Sequence, residues 1–543
     1  MEKAPPPAST GRTIFGWNPL KVLFAMEYVL QGLANPFQGI TYQSFFKHFR
    51  TDYGLSEAVT QQFFSRSYLA WAFKPVIGFL MDAYGKTRVV LIFLLLSGAA
   101  FYFLTPFIDH TAYIFFWSMF ALSVLFACTD VAVDRATVIA GDEEAKASGR
   151  SKAAVVGLNQ SICWAAIYGT SILSAAGGGL LADHLPIHYL LIGLAAAPLA
   201  VLLVVLRLPR DTAQPIPLAR SVASFWRGLN HGPVLWVVIF YFLFHFAPAM
   251  GALWNNYLLT EIKFTQTQVG YADSVAYVGY FLGVLLFARY GVRWQDRFGL
   301  RAVFRTAIVL SMLVGLTQYL VLEPRFTRLA DALHRLLPAL DAGQVRWAYY
   351  AAYCFGAAVV TSFIRMCTFS LVGAIIPVGA AGSLFAGFMS VANLAYSYSY
   401  ASGSWLYTNG TAYGPLRALE QTVFGITAAP GAPLSFQSLI CIGSLAGLLS
   451  LVVAHALPDR RQTAAGADEG GTALGPDQHR TLGPGVLDPV NLAALGLGLV
   501  LLEAQLLLWG LDPIASVLGA FFLAAFARKV VLDRLCQARL PAC

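Results

Sequence analysis

Apolar runs of about 20 or more residues recur along the chain, each long enough to cross the roughly 30 Å hydrocarbon layer of a bilayer as a helix. This restricts the chain to an all-α integral membrane architecture. Twelve spans are expected, at 18–46, 57–83, 88–107, 111–139, 151–182, 186–206, 232–259, 267–290, 302–322, 346–376, 381–407 and 433–456. A polar, Gly-rich stretch at 463–485 follows, and then two further apolar runs near 489–509 and 512–531, for a total of about 14.

Composition agrees with a lipid environment: 57% of residues are hydrophobic and only 12% charged, against roughly 25% in soluble domains. The formal charge of +8 does not point to nucleic acid, because the basic residues lie between apolar spans and no stretch combines aromatics with dense Lys and Arg. Those loop charges set orientation instead. Lys86, Arg88, Lys146, Arg150, Lys152, Arg207, Arg210, Arg220, Arg227, Arg293, Arg297 and Arg301 all fall on one side if both termini share it, and that side is expected to be the cytoplasm, with the protein in the cell membrane. Arg325, Arg328 and Arg335 break the rule, in an outside loop whose helical periodicity suits an interfacial helix.

The seven cysteines sit mostly inside apolar spans and form no CxxC pair, so they read as small hydrophobes. His184 and His188 lack an obvious third ligand, and no metal or other cofactor is expected. The amino terminus is Pro-rich and polar, without the apolar core of a cleaved signal peptide.

Internal repetition gives the next level of organisation. GFLMDAYGKTR places Asp82 three residues before Gly85, and GVRWQDRFGLR places Asp296 three before Gly299, an offset of 214 between the aspartates. NPFQGITYQ carries Pro36, Gly39, Tyr42 and Gln43, while APAMGALWNN carries Pro248, Gly251, Trp254 and Asn255 at matching steps, an offset of 212. Two unrelated patterns at nearly one spacing argue for duplicated six-helix bundles at 18–206 and 232–456. Around them the reading gives a cytoplasmic tail at 1–17, linkers at 207–231 and 457–487, the two extra helices within 488–534 and a cytoplasmic tail at 535–543.

GFLMDAYGKTR resembles the loop motif that follows helix 2 in the major facilitator superfamily, carried here by Gly78, Leu80, Asp82, Gly85, Lys86 and Arg88. The resemblance implies paired bundles around a central cavity, alternating access, and a gating role for Gly78, Asp82, Gly85, Arg88, Asp296 and Gly299, with Asp82 capping or pairing with a neighbouring helix end. YGLSEAVTQQFF, LAWAFKPVIGFLMD, DVAVD and GLNQSICWAAIYG, within residues 20–185, are similar to the folate-biopterin transporter family. That likeness implies a folate- or pteridine-like substrate, whereas the second half and the two appended helices depart from it.

Ionised side chains at the bilayer centre cost around 2.5–3.5 kcal/mol on insertion scales, so those that persist usually face a cavity and pair. On the first helix Glu27, Gln31, Gln38 and Tyr42 share one stripe about 60° wide. Arg66 and Lys74 lie on the second, roughly 12 Å apart along its axis. Asp130 and Asp134, one turn apart on the fourth with Arg135 adjacent, suit either proton coupling or a structural ion pair with Lys74 or Arg135. The remaining expected binding residues are Gln43, Asn159, Gln160, Trp254, Asn255, Arg365 and Asn393, with Arg365 too deep in its span to snorkel. Tyr271, Tyr277, Tyr280, Tyr396, Tyr398 and Tyr400 supply rings for stacking or interface belts.

The partners expected are thus a small solute, the lipid bilayer and a proton or other coupling ion. A membrane enzyme is disfavoured because HExxH and a plausible GxSxG are missing, and an ATP-driven pump because no GxxxxGK[ST] loop occurs. A receptor or channel, or carriage of a nucleoside, peptide-like solute, sugar-phosphate or lipid, stand as the other readings.

Overall fold

The computed structural model describes residues 14, 18–148, 152–208, 217–219, 232–375, 381–429, 431–454 and 457. Most of the expected tail 1–17 and linker 207–231, and all of 458–543 with both appended helices, lie outside the described residues.

The first half runs α1 (Pro19–Ala34), α2 (Tyr42–Lys47), α3 (Glu57–Ser67), α4 (Leu69–Ala72), α5 (Lys74–Tyr84), α6 (Thr87–Ile108), α7 (Ala112–Ser148), α8 (Lys152–His184), α9 (Ile187–Leu194) and α10 (Ala196–Val205). The second continues as α11 (Gly232–His245), α12 (Gly251–Thr260), α13 (Gln266–Leu286), α14 (Val292–Phe298), α15 (Leu300–Thr317), α16 (Arg325–Leu336), α17 (Ala342–Ile375), α18 (Ala381–Asn409), α19 (Gly414–Leu419), α20 (Phe436–Ala446) and α21 (Leu449–Ala454).

Eight helices among the described residues are long and apolar enough to span a bilayer: Thr87–Ile108, Ala112–Thr137, Ile162–His184, Ile187–Val205, Gln266–Gly291, Arg301–Val321, Ala342–Thr368 and Phe436–Ala454. The segments read as spans 1, 2, 7 and 11 are not among them. Spans 1, 2 and 7 are broken into shorter pieces, and α18, though 29 residues long, carries the polar run SYSYASGS.

The breaks in spans 1 and 7 have one cause. α1 stops at Ala34 because Asn35 precedes Pro36; the proline ring disfavours helical backbone at the residue before it, and Asn35 is extended at φ −60°, ψ 122°. α11 likewise stops at His245, ahead of Pro248, and helix resumes at Gly251. The expected continuous first helix is therefore corrected to two helices, and the stripe on it survives only for Glu27 and Gln31. Gln38 is exposed in the break, where its Oε1 accepts from Asn35 at 3.5 Å, and Tyr42 opens the next helix against the Phe64 ring.

Each half has its own apolar core. One cluster of buried residues runs from Ile14 to Leu208, with Ala252 its single member from the second half, and two others draw only on residues 237–457. The loop helix α16 buries Phe326 and Ala330, one turn apart, while Arg325, Arg328 and Arg335 stay exposed.

The halves meet along α8 with α13 and α3 with α12 and α18. In the first contact the approach is backbone on backbone: a Cβ at Gly179 would lie 2.5 Å from Gln266 O, and one at Gly270 2.5 Å from Ala175 O. Beside them Gly178 sits under the carbonyl of Ile40, so the break after α1 rides on the glycine run 177–179.

Candidate functional site

A polar cluster in the first half grows from α1. Glu27, fully buried, accepts from Thr129 Oγ1 at 2.6 Å through Oε1, while its Oε2 is buried without a hydrogen-bond partner among the described residues. One turn on, Gln31 Nε2 donates to Asp130 Oδ1 at 2.6 Å, and the other oxygen of Asp130 is paired with Lys74 Nζ. Tyr28 donates to Asp134 Oδ1 at 3.0 Å. Helical spacing explains the grouping: Asp130 and Asp134 lie on one face of α7, turned towards α1, and Lys74 reaches Asp130 from the N-terminus of α5.

Rings carry the arrangement into the second half. Tyr28 meets Trp164 with centroids 6.3 Å apart, Trp164 meets Tyr168 at 5.8 Å, and Tyr168 stacks on Tyr280 at 6.4 Å and 11°. The Arg365 guanidinium lies 5.8 Å from the Tyr280 ring and donates to Tyr396 Oη at 3.3 Å. Tyr396 then meets Tyr68 at 5.6 Å, and Tyr68 meets Tyr400 at 5.3 Å. Helices α1, α8, α13, α17, α18 and the α3–α4 junction at Tyr68 thus contribute to one continuous belt of contacts that passes from the acids of one half to the arginine of the other. Among the described residues no carboxylate lies within ion-pair distance of Arg365.

Repeat-related residues also meet. Asn255 Nδ2 donates to Gln43 Oε1 at 3.0 Å, and these two stand at the same step of the two Pro-Gly patterns, so the contact joins equivalent positions of the halves. Gln43 Nε2 also donates to Asp273 Oδ2 at 3.3 Å. Further hydrogen bonds tie the halves on this side: Asn256 Nδ2 to Glu57 at 3.0 Å, Gln61 Nε2 to Ala249 O at 2.7 Å, Ala252 N to Gln61 Oε1 at 2.7 Å, and Thr267 Oγ1 to Asp183 at 2.6 Å.

At the opposite end Asp82 accepts from Arg135 Nε at 2.9 Å, linking α5 to α7. Gly85 ends α5 in left-handed backbone at φ 71°, and Arg88 donates to Leu206 O at 2.7 Å. Gly299 has φ 80° ahead of α15, as the repeat places it, while the side chain of Asp296 lies outside the described residues.

The other expected residues scatter. Arg66 lies 5.9 Å from the Phe63 ring, Trp254 Nε1 donates to Tyr350 Oη at 3.4 Å, and Asn393 donates to its own helix at Met389 O. Asn159 is buried with Nδ2 on Thr137 O at 3.5 Å, and the Gln160 side chain lies outside the described residues. Tyr271 is exposed, and Tyr398 packs with Leu69 and Leu394 rather than beside Arg365. Sequence reasoning missed Asp273, Tyr68, Trp164 and Tyr168. Asp273 was detectable as an acid inside the apolar run YADSVAYVGYFLG; the three aromatics were not, since nothing local separates them from membrane-facing rings. His188, which with His184 showed no third ligand in the sequence, meets Asp109 and His48.

Against known proteins, the BT1 family profile matches residues 31–475. A folate-biopterin transporter of Synechocystis sp. is 23% identical over 387 residues, covering 68% of this chain and 72% of that protein. Among solved structures, a D-xylose-proton symporter aligns with TM-score 0.53 at 14% identity over 82% of this chain and 98% of its own. A variant of the nucleoside transporter NupG aligns with TM-score 0.52 at 16% identity, over 81% and 98%. At such identities these two structures speak for the fold. The polar cluster, the belt of rings and the paired helix breaks therefore sit in a multi-pass membrane transporter, not an enzyme, that shares its fold with these two solved carriers, and the chain belongs to the BT1 family.

Proposed function

We propose that this protein carries a folate- or pteridine-like anion across the cell membrane by proton-coupled alternating access, with both termini in the cytoplasm. The observation that supports this best is Arg365: a guanidinium held between Tyr280 and Tyr396, with no carboxylate against it among the described residues, is a receptor for a carboxylate flanked by a flat ring system. The rings of Tyr168 and Tyr280 offer stacking faces, and Glu27, Gln31 and Asp130 offer acceptors and donors for an aminopyrimidine edge. The relative from Synechocystis is named for folate and biopterin, which fits that chemistry.

Coupling falls to Asp130 and Asp134. A proton on Asp130 would release Lys74, and one on Asp134 would alter its bond with Tyr28, so each protonation changes contacts among α1, α5 and α7. The contacts of Asn256, Gln61 and Thr267 then act as an outer gate, closed in this state, and the Asp82–Arg135 pair belongs to the inner gate. Gln43 and Asn255 join the gate at equivalent places in the two halves.

Proteoliposomes containing the purified protein, given radiolabelled folate and biopterin under an imposed pH gradient, test this reading. Saturable uptake that collapses with a protonophore and is lost in Arg365→Ala is the expected result. Gradient-independent uptake would remove the coupling, and normal uptake by Arg365→Ala would remove the binding site.

A further inference from the structure

At the end of the first half remote from Asp82, three side chains from separate parts of the sequence converge. His48 stands after α2, Asp109 in the turn between α6 and α7, and His188 in the first turn of α9. Asp109 Oδ2 lies 2.9 Å from His48 Nε2 and 2.6 Å from His188 Nε2, and the two rings are 5.6 Å apart at 84°. All three ligand atoms fall within 4.8 Å of one another. We propose that His48, Asp109 and His188 form a binding site for a zinc-like divalent transition metal that clamps the outer ends of the first-half helices.

The donor set suits such an ion. Two imidazole nitrogens and one carboxylate oxygen are the ligands borderline metals take, at roughly 2.0–2.2 Å, which in a tetrahedron separates ligand atoms by about 3.3 Å. The His–Asp distances must therefore open by about half an ångström and the His–His distance close. His188 can supply that movement, since its side chain is 42% exposed and faces solvent; a water then takes the fourth position.

The outer shell is also in place. His48 Nδ1 lies 2.6 Å from Asp52 Oδ2, the carboxylate–histidine pairing that fixes the tautomer of a metal-bound imidazole, and Tyr53 donates to the second oxygen of Asp109. Without metal, both ring nitrogens of His48 face carboxylates. Burial works against protonating the ring, but the hydrogen bonds to Asp109 and Asp52 outweigh it and hold its pKa above 6.5. A metal on Nε2 leaves Nδ1 free to donate to Asp52.

The site lies apart from Arg365 and the acids of α7, so it stands or falls independently of the proposed solute. The test uses full-length protein purified through a histidine-free tag and titrated with zinc chloride, with bound metal counted by mass spectrometry, and then with cobalt chloride followed by visible absorption. One equivalent of zinc, a tetrahedral cobalt spectrum, and loss of both in His188→Ala are expected. Asp52→Asn, at a half-exposed position that spares the core, should weaken zinc by about 10–100-fold while leaving stoichiometry intact. A wild-type chain that takes up no zinc, or uptake unchanged in both His188→Ala and Asp52→Asn, overturns the proposal.

Discussion

Placing alanine at Gly179 probes the seal between the halves. The new methyl group would stand 2.5 Å from Gln266 O, 3.0 Å from Gly270 Cα and 3.2 Å from Gln266 C, where ordinary contact begins at 3.4 Å. Because the opposing atoms are backbone, no side chain can turn aside, and α8 and α13 must separate by about 0.9 Å. Overpacking of this kind costs typically 1–3 kcal/mol. If the glycines part when the transporter opens the other way, the cost falls only on the state described here and shifts the population about 5–150-fold away from it. Gly169 lies on the same helix with nothing within 4 Å of its added Cβ, so Gly169→Ala supplies the control. Hydrogen–deuterium exchange over 57–67 and 251–260, which carry the seal, should quicken in Gly179→Ala and not in Gly169→Ala, and uptake should fall. Unchanged exchange and uptake in Gly179→Ala would refute the claim that this close approach holds the seal.

Lys74→Met leaves Asp130 buried without its cation and should destabilise the fold by about 3–5 kcal/mol, seen as a lowered Tm in detergent, whereas Lys74→Met with Asp130→Leu should recover most of the loss. Asp82→Asn weakens the half-buried pair with Arg135 and should cost roughly 1 kcal/mol in thermal stability at low salt and less at high salt, because the pair is partly solvated. A double-mutant cycle of Gln43→Leu and Asn255→Leu should give a coupling of about 0.5–1.5 kcal/mol in chemical unfolding; strict additivity would mean their hydrogen bond contributes nothing.

The membrane class, the helical fold and the recurrence of the Pro-Gly pattern were legible without coordinates, since they rest on apolar length and on like residues at an offset of 212. The same prolines also contradicted the continuous first helix, and Asn35–Pro36 was the warning. The break in span 1 and that in span 7 bring Gln43 and Asn255 together, and the polar face of α18 in span 11 meets α3 of span 2, so these polar groups find partners instead of lipid. Arg365, Asp130 and Lys74 stood out because charge in an apolar run is conspicuous.

The sequence by itself determined that the chain spans a membrane as helices, that its pattern repeats, and that a few charged groups lie within the spans. Which of those groups touch was decided only by tertiary structure. Asp130 chooses Lys74 over Arg135, which goes to Asp82; Tyr168 finds Tyr280 across the halves; and His188 leaves its near neighbour His184 for Asp109 and His48. Helix periodicity fixes the face on which a side chain lies, but the opposing face comes from residues 53 or more positions away, and their approach is set by packing no local pattern records.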